Sequence, residues 1–296
     1  MKKILMAIAS AALACGIGFA AVGCGNSGDI LVVSREEGSG TRSAFTELTG
    51  ILTEDENGEE VDRTVDSAEF IDSTGAVLDY VSGAEKAIGY ISYGSLDDTV
   101  KAIQVDGVSP SAETIKDGSY KISRPFNIAY KADNYNGNDL LKDFVEFVLS
   151  TEGQAIVADE NYLPIENTQA YVAEESFTTK KIVVAGSSSV TPVMELIIEE
   201  YESLNANKGI DVELQSSDSS TGMTNTMNDT ADLGMASRAL KDSETAELTG
   251  VIMATDGIAV IVNNANPCTG LTMEQICNIY IGEALNWSDV GVEFTE

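Results

Sequence analysis

Histidine is absent from the 296 residues of this sequence. That absence excludes a serine–histidine–aspartate triad, a cysteine–histidine pair, a zinc site of the HExxH type and any histidine general base. Positive charge is scarce as well, since 17 lysines and arginines stand against 48 aspartates and glutamates, for a formal net charge of −31. Nucleic acids and anionic lipid surfaces are bound by clustered basic side chains, so this balance argues against both as partners.

Cysteine is also rare, with four residues. No pair has the CxxC spacing of a structural metal site, and we expect neither a metal nor a cofactor. Cys15 and Cys24 fall in the N-terminal segment, which leaves Cys268 and Cys277. In an exported protein these two could form a disulfide or stay reduced, and their spacing does not decide between the alternatives.

The N-terminal segment has the pattern of an export signal. Lys2 and Lys3 precede an apolar stretch over residues 4–21, and small residues lead up to Cys24. This order predicts a lipoprotein signal peptide over residues 1–23, after which Cys24 would carry lipid, including palmitate, and become the mature N-terminus. The protein would then lie on the extracytoplasmic face of the cell membrane, held by its lipid anchor only. Simple secretion and a signal-anchor helix are the alternatives.

The rest of the chain alternates between two hydrophobic patterns. Short β-rich runs occur at residues 30–33, 87–91, 182–185 and 257–262, and amphipathic stretches with helical spacing occur at 141–148 and 190–201. This alternation predicts an α/β architecture with largely parallel or mixed sheets. Residues 165–180 are polar, acidic and weakly patterned, so we interpret them as a connector between two halves of the chain.

Clusters of serine, threonine and glycine stand where strands are expected to lead into helices, around residues 35–41, 186–192 and 215–222. A helix N-terminus exposes unpaired amides and about half a positive charge, and hydroxyls add donors without adding full charge. Each cluster alone is typical of ordinary helix capping. Together they favour an oxyanion site, and the absence of GxxxxGK[ST] and GxGxxG from these loops argues against a nucleotide.

Arg35 is the full positive charge that we expect in such a site. A strongly anionic protein cannot attract an anion through its long-range field, so binding must depend on short-range donors in a dry pocket. Taken alone, Arg35 could equally form a surface salt bridge with Glu36 or Glu37.

These clusters belong to a wider set of segments that together resemble one protein family. The segments are REEGSGT at 35–41, AIGYI at 87–91, RPFNI at 124–128, GSSSVTP at 186–192, ADLGMASR at 231–238, DGIAV at 256–260, and IYIGE at 279–283 with Asn286 and Trp287. In combination they are similar to the phosphate-binding lipoprotein of bacterial phosphate ABC importers, over nearly all of residues 29–296. Their order differs from that family's, which indicates a circular permutation; a truncated tandem duplication would give the same order.

The resemblance implies a circularly permuted type II periplasmic-binding-protein fold, an α/β fold of two lobes around a cleft. One lobe would be continuous, over residues 132–262, and the other split between 29–123 and 265–296. The chain would cross between the lobes at 124–131 and 257–264, and hinge motion there would close the lobes on the ligand. The implied function is capture of inorganic phosphate and its delivery to the permease subunits of an ABC transporter, with no catalytic residue.

Carried over motif by motif, the resemblance assigns phosphate contacts to both lobes. The split lobe would contribute Arg35, steadied by Glu37, with Ser39, Gly40 and Thr41. The continuous lobe would contribute Ser189, the backbone of Val190, and Ser219. The anion would thus be surrounded by hydroxyls, amides and one guanidinium.

One position departs from the family pattern. Some members have an aspartate after the Ala-Ser of the ADLGMASR-like segment, where it accepts the proton of hydrogen phosphate, whereas this chain has Arg238. Asp218 and Asp256 are the candidate replacements, although Asp218 could be only a helix cap and Asp256 only a turn residue. Such an acceptor separates phosphate from sulfate, which has no proton, so a site for sulfate or another tetrahedral oxyanion is the alternative. A secreted phosphate-ester hydrolase is a further alternative, weakened by the missing histidines and metal ligands.

Overall fold

The computed structural model describes residues 29–294, and the predicted signal peptide over 1–23 and the predicted lipidation site Cys24 lie outside the described residues. The strands are β1 (Leu31–Arg35), β2 (Leu52–Glu54), β3 (Glu60–Asp62), β4 (Glu69–Ile71), β5 (Ala87–Ser92), β6 (Val100–Ala102), β7 (Gln104–Val105), β8 (Ser123–Tyr130), β9 (Leu163–Pro164), β10 (Lys181–Ser187), β11 (Asp211–Ser217), β12 (Leu233–Ala236), β13 (Thr249–Asn263) and β14 (Gly270–Leu271). The α-helices are α1 (Gly40–Leu48), α2 (Thr74–Gly83), α3 (Ala112–Lys116), α4 (Ala132–Gly137), α5 (Asp139–Val148), α6 (Thr151–Asp159), α7 (Thr191–Leu204), α8 (Ser219–Met227), α9 (Asp242–Thr245) and α10 (Met273–Tyr280). Over this described range, none of the helices has the length and apolar character needed to cross a membrane.

One mixed sheet runs through the molecule, in the order β11-β10-β12-β8-β13-β5-β1-β4, with β6 and β9 also paired to β13. At one end β10 is parallel to β11 and β12, and at the other end β1 is parallel to β4 and β5. The central strand β13 is antiparallel to both β8 and β5. The α/β architecture with mixed sheets that the alternating sequence predicts is therefore confirmed.

The two largest hydrophobic cores define two lobes. The buried members of one core all lie between Phe126 and Ala254. The buried members of the other lie between Val32 and Ile122 and again between Ile258 and Val290. We call these the continuous lobe and the split lobe.

The crossings between the lobes lie slightly earlier and are shorter than the predicted 124–131 and 257–264. Strand β8 pairs with β12 and with the first part of β13, so it belongs wholly to the continuous lobe. Strand β13 pairs with β8 up to Gly257 and with β5 from Ile258 onward, so 258–262 belong to the split lobe and not to the continuous one. The Ile258 amide donates to the Ile122 carbonyl at 2.8 Å. The two crossings are therefore neighbours, because β13 pairs with β8 of the continuous lobe and then with β5 of the split lobe.

The polar segment 165–180 joins β9 to β10, and both of these strands lie in the continuous lobe. It is fastened there by the Tyr171 hydroxyl, which donates to Asp143 at 2.6 Å, and by the buried ring of Phe177. It therefore connects two halves of the sequence within a single lobe. Cys268 and Cys277, for which the sequence left a disulfide open, are free thiols.

The helix predicted from the spacing over residues 190–201 is α7, and its apolar stripe is buried. Pro192 occupies its first turn, where a missing amide hydrogen costs no hydrogen bond. Helix α8 lies against β10 at very short range. A Cβ atom added to Gly222 would stand 2.5 Å from the Gly186 Cα atom and 2.7 Å from the Ala185 carbonyl oxygen. Glycine at 222 thus permits α8 to begin directly beside the end of β10.

We expect Gly222→Ala to lower the free energy of unfolding by about 1–3 kcal/mol, because the added methyl group meets backbone atoms that cannot move aside. Gly75→Ala is the matched control: this glycine is also helical, in α2, and its added Cβ meets nothing within 4 Å. The control should leave stability unchanged or slightly raised. Urea unfolding followed by circular dichroism measures both, and equal losses would contradict the packing explanation.

Candidate functional site

The serine, threonine and glycine loops meet between the two lobes, where α1, α7 and α8 begin. Ser39 is the N-cap of α1 and accepts from the Arg42 amide at 3.3 Å. Asp218 is the N-cap of α8, and α7 starts immediately after Val190. Each loop is therefore a helix start, as predicted.

The lobes are in direct contact at this point. The Thr41 and Ser189 hydroxyl oxygens lie 2.8 Å apart, and the Ser220 amide donates to the Gly38 carbonyl at 3.2 Å. A Cβ atom at Gly40 would lie 2.3 Å from the Ser219 hydroxyl oxygen. The structure is thus closed, and the absence of a side chain at residue 40 permits the closure.

A group of buried hydroxyls lines the contact, which we call the hydroxyl cage. Its members are Thr41, Thr74, Ser187, Ser189, Ser219 and Ser237, none more than 4% exposed. The Ser187 hydroxyl donates to that of Ser237 at 2.9 Å, and the Ser237 amide donates to the Ser219 hydroxyl at 3.1 Å. Because each hydroxyl can donate or accept, the cage can adjust to an oxyanion without carrying charge.

Arg35, only 1% exposed, supplies positive charge to the cage. Its guanidinium donates to both carboxylate oxygens of Glu36, at 2.8 and 2.9 Å. It also reaches the Ser188 hydroxyl across the cleft at 3.0 Å and the Thr74 hydroxyl at 3.3 Å. Among the described residues Nη1 has only the Thr74 partner, so its second hydrogen is open to a ligand.

The resemblance implied that Glu37 steadies Arg35. In the structure the carboxylate that does so is Glu36. The Glu36 amide donates to the Ile71 carbonyl at 3.1 Å, which extends the pairing of β1 with β4 by one residue. The Glu36 carboxylate is thereby held alongside the guanidinium, whereas the Glu37 side chain is exposed.

Backbone donors are available at helix starts beside the cage. Within the part of the chain that the structure describes, the Gly40 and Thr41 amides at the start of α1 have no hydrogen-bond partner. The Val190 amide, by contrast, donates to the Ser187 carbonyl at 2.9 Å. In this closed state the predicted contribution of Val190 is therefore occupied inside its own loop.

Sequence reasoning missed Thr74, Ser187, Ser188 and Ser237 as separate contacts. The three serines stand inside motifs already singled out, but nothing in the sequence distinguished them from their neighbours. Thr74 opens α2 just after β4, and its hydroxyl lies 3.1 Å from that of Ser189. The DSTG sequence at residues 72–75 has the same strand–loop–helix pattern as the other loops, so the same search would have found it.

Neither candidate proton acceptor contacts the cage hydroxyls among the described residues. Asp218 receives the Thr221 amide at 2.8 Å and the Thr221 hydroxyl at 2.5 Å, so both of its oxygens cap α8. Asp256 is a strand residue of β13 and not a turn residue, and it is fully enclosed. It pairs with Arg124 at 3.1 and 3.2 Å.

Arg238, which stands where an aspartate was expected, is 5% exposed and forms a two-pronged ion pair with Glu244 at 2.7 and 2.8 Å. Burial raises the pKa of Glu244, but hydrogen bonds from the Arg238 guanidinium and the Lys241 amide lower it by more. The pKa of Glu244 is therefore below its ordinary value. The charge of Arg238 is thus neutralised locally. Within residues 29–294 no group of histidine, cysteine or acidic side chains could hold a metal ion.

Comparison with known proteins shows that the chain is similar to members of one family of binding proteins. A profile of the PBP superfamily domain matches residues 18–152 and 172–295. The chain is 48% identical over 282 residues to a phosphate-binding protein PstS 2 of Streptococcus agalactiae serotype V, covering 93% of this chain and 94% of the relative. It is 41% identical over 283 residues to a PstS 2 of Streptococcus pneumoniae serotype 4, covering 92% and 94%.

The fold is also similar to that of a solved structure. A phosphate-binding protein of a phosphate ABC transporter from Streptococcus pneumoniae TIGR4 matches with a TM-score of 0.69 and 40% identity, over 88% of this chain and 99% of that one. The order of segments is therefore shared with these streptococcal proteins along nearly their whole length. A permutation relative to other members stays a prediction.

We expect Glu244→Ala to lower the free energy of unfolding by about 3–5 kcal/mol, because it leaves the Arg238 charge buried without a partner. Glu213→Ala is the control, since Glu213 pairs with Lys181 at 2.6 Å but both side chains are more than 40% exposed. An exposed pair contributes about 1 kcal/mol or less. Urea unfolding at pH 7 measures both, and a small loss for Glu244→Ala would show that Arg238 finds another partner or water.

Proposed function

The chain belongs to the PBP superfamily and, within it, to the phosphate-binding proteins of ABC transporters, and from that membership we propose that it captures inorganic phosphate between its lobes and delivers it to an ABC permease. The observation that carries the proposal is the hydroxyl cage with Arg35, closed between two lobes. Residues from both lobes meet there, with Thr41 and Ser189 2.8 Å apart. A ligand in the cage would be contacted by both lobes at once, and the closed shape would signal its presence to the permease.

The proposed ligand contacts are Arg35, Ser39, Gly40 and Thr41 on the split lobe, and Ser189, Val190 and Ser219 on the continuous lobe, with Thr74 and Ser237 added by the structure. Hydroxyls and amides that now bond to one another would turn to the phosphate oxygens. Rotation about the adjacent crossings near residues 122–123 and 257–258 would open the cleft for entry.

Binding of this kind suits a chain with a net charge of −31. Its long-range field repels a dianion, so affinity has to come from donors that act at hydrogen-bond distance in a water-poor site. Hydroxyls can also accept the proton of hydrogen phosphate, a role for which Asp218 is poorly placed because both of its oxygens cap α8.

We propose binding without chemical turnover. Within the described residues the cage hydroxyls bond to one another and to Arg35, and none is bonded to a carboxylate or amine that could act as a general base. The sequence contributes no histidine for that purpose. A hydrolase of phosphate esters is accordingly not favoured by any contact in the site.

We further propose that the protein is a lipoprotein on the extracytoplasmic face of the membrane, with residues 1–23 removed and Cys24 acylated. The support is the sequence order of basic residues, apolar stretch and cysteine. Mass spectrometry of the membrane-extracted protein would identify the diacyl modification at Cys24, and an unmodified secreted form would contradict it.

Titration of the mature protein with inorganic phosphate should show saturable binding without release of new product. Arg35→Ala should weaken it severely, because a hydrogen bond to a charged group contributes about 1.5–3 kcal/mol, which corresponds to roughly tenfold or more in Kd. Arg63→Ala is the control of equal charge change, since Arg63 donates to the Ile51 and Gly50 carbonyls and lies beside Cys277, away from the cage. Isothermal titration calorimetry measures all three proteins. No phosphate heat in the wild type, or equal weakening by both variants, would reject the proposal.

A competition titration decides between phosphate and sulfate. If a cage hydroxyl whose own hydrogen is donated to a neighbour, as that of Ser187 is to Ser237, accepts the phosphate proton, sulfate should bind much more weakly, because it has no proton to offer that acceptor. Titrating phosphate into protein preloaded with excess sulfate should therefore give nearly the same affinity as in its absence. Strong suppression by sulfate would instead identify a general tetrahedral-oxyanion site.

A further inference from the structure

A buried ion pair lies where the chain crosses between the lobes. Arg124 follows the first crossing and Asp256 precedes the second, and both are no more than 2% exposed. Two guanidinium nitrogens approach one carboxylate oxygen, Oδ2, at 3.1 and 3.2 Å. The pair is not part of the hydroxyl cage, and no step proposed above uses it.

Arg124 nevertheless reaches toward the cage. Its Nη1 atom donates to the carbonyl oxygen of Ser237 at 3.0 Å, and the Ser237 amide and hydroxyl are both in the cage. Burial is the largest cause that lowers the pKa of Arg124, Asp256 opposes it, and the nearby positive charge of Arg35 lowers it further. The buried guanidinium groups of Arg124 and Arg35 are thus close enough to repel each other.

Asp256 is only half satisfied. Its Oδ1 atom has no hydrogen-bond partner, and the same holds for the buried hydroxyls of Ser92, Ser95 and Tyr162. Burial raises the pKa of Asp256 to about 6 against the opposing effect of Arg124, and Ser92 lies close enough to affect it. The hydroxyls can donate to the carboxylate or accept from the protonated carboxyl group, so the site accommodates both forms of Asp256.

The other titratable groups that face Asp256 are tyrosines. Burial raises the pKa of Tyr162 to about 12, and the charge of Asp256 raises it further in the same direction. Burial likewise raises the pKa of Tyr120, whose hydroxyl donates to the Ile258 carbonyl at 2.8 Å. Both phenols are neutral near pH 7, so among the described residues Arg124 and Asp256 are the charged groups at this position.

We propose that Arg124 is a second cation serving the anion site through Ser237, and that Asp256 balances it, taking up a proton when the dianion enters the cage. Without ligand, the Asp256 carboxylate offsets the Arg124 charge. A bound dianion takes over that role and repels the carboxylate, which favours its protonated form. The inference rests on the proposed phosphate site and concerns its charge balance.

The directions in which two single variants change the affinity for phosphate distinguish this role from a purely structural one. Asp256→Asn removes a negative charge near the anion, so phosphate should bind as tightly as in the wild type or several-fold more tightly. Arg124→Gln removes the positive charge and should weaken binding tenfold or more. If the pair served only to hold the hinge together, both variants would weaken binding, and that outcome would overturn the proposal.

Proton uptake is the second readout. Calorimetric titrations with phosphate at pH 7, in two buffers of different ionisation enthalpy, give the number of protons taken up on binding. The wild type should take up a larger fraction of a proton than Asp256→Asn, and its affinity relative to that variant should fall as pH rises from 6 to 8. The second ionisation of phosphate is common to both proteins and cancels. Equal proton counts would refute the proposal.

The double variant Arg124→Gln with Asp256→Asn covers the case in which Asp256→Asn fails to fold because Arg124 is left unpaired. It removes both charges with no net change in charge and leaves neither buried ion unpaired, so it should bind phosphate within about tenfold of the wild type. It should also lack the extra proton uptake, and wild-type uptake in the double variant would overturn the proposal. If the wild type gives no phosphate heat at all, the proposed function itself has failed.

Discussion

The hydrogen bond between Thr41 and Ser189 joins two lobes across what would otherwise be a solvent-filled cleft, and the rest of the structure is arranged around that close approach. Gly40 has no side chain to hold the lobes apart, and Gly222 allows α8 to start beside β10. Each helix start brings a hydroxyl or an amide to the same point. The site therefore depends on the small size of these two glycines as much as on its polar groups, since an added methyl group at either one would displace a lobe or a helix.

Charge near the site is balanced in pairs. Arg35 is matched by Glu36, Arg238 by Glu244 and Arg124 by Asp256, each within 3.1 Å. Removing one member of such a buried pair leaves an uncompensated charge, whereas the intact pair contributes little net field. A ligand is then recognised by directed donors at short range, which is how a strongly acidic chain can accommodate an anion.

Much of the fold could be predicted from the sequence because its signals are local. The stripe from Val190 to Tyr201 and the Ser/Thr/Gly loops identified α7 and the helix starts, and these depend on neighbours in sequence. The identity of Arg35's partner depended on how the turn after β1 follows β4, which no local pattern contains. The crossings were misplaced by a few residues because the change of partner at Gly257 depends on the pairing of β13 with β8 and β5, which are distant in sequence. The role of Asp256 was similarly hidden, since its partner Arg124 is distant in sequence.

Strand β13 has a consequence for the molecule as a whole. Its first part completes the sheet of the continuous lobe and its second part that of the split lobe, without a break between them. If β13 unfolds, both lobes lose a strand of their sheet. We therefore expect that unfolding of this strand affects both sides of the cleft. The two halves should then unfold together, even though their main hydrophobic cores are separate.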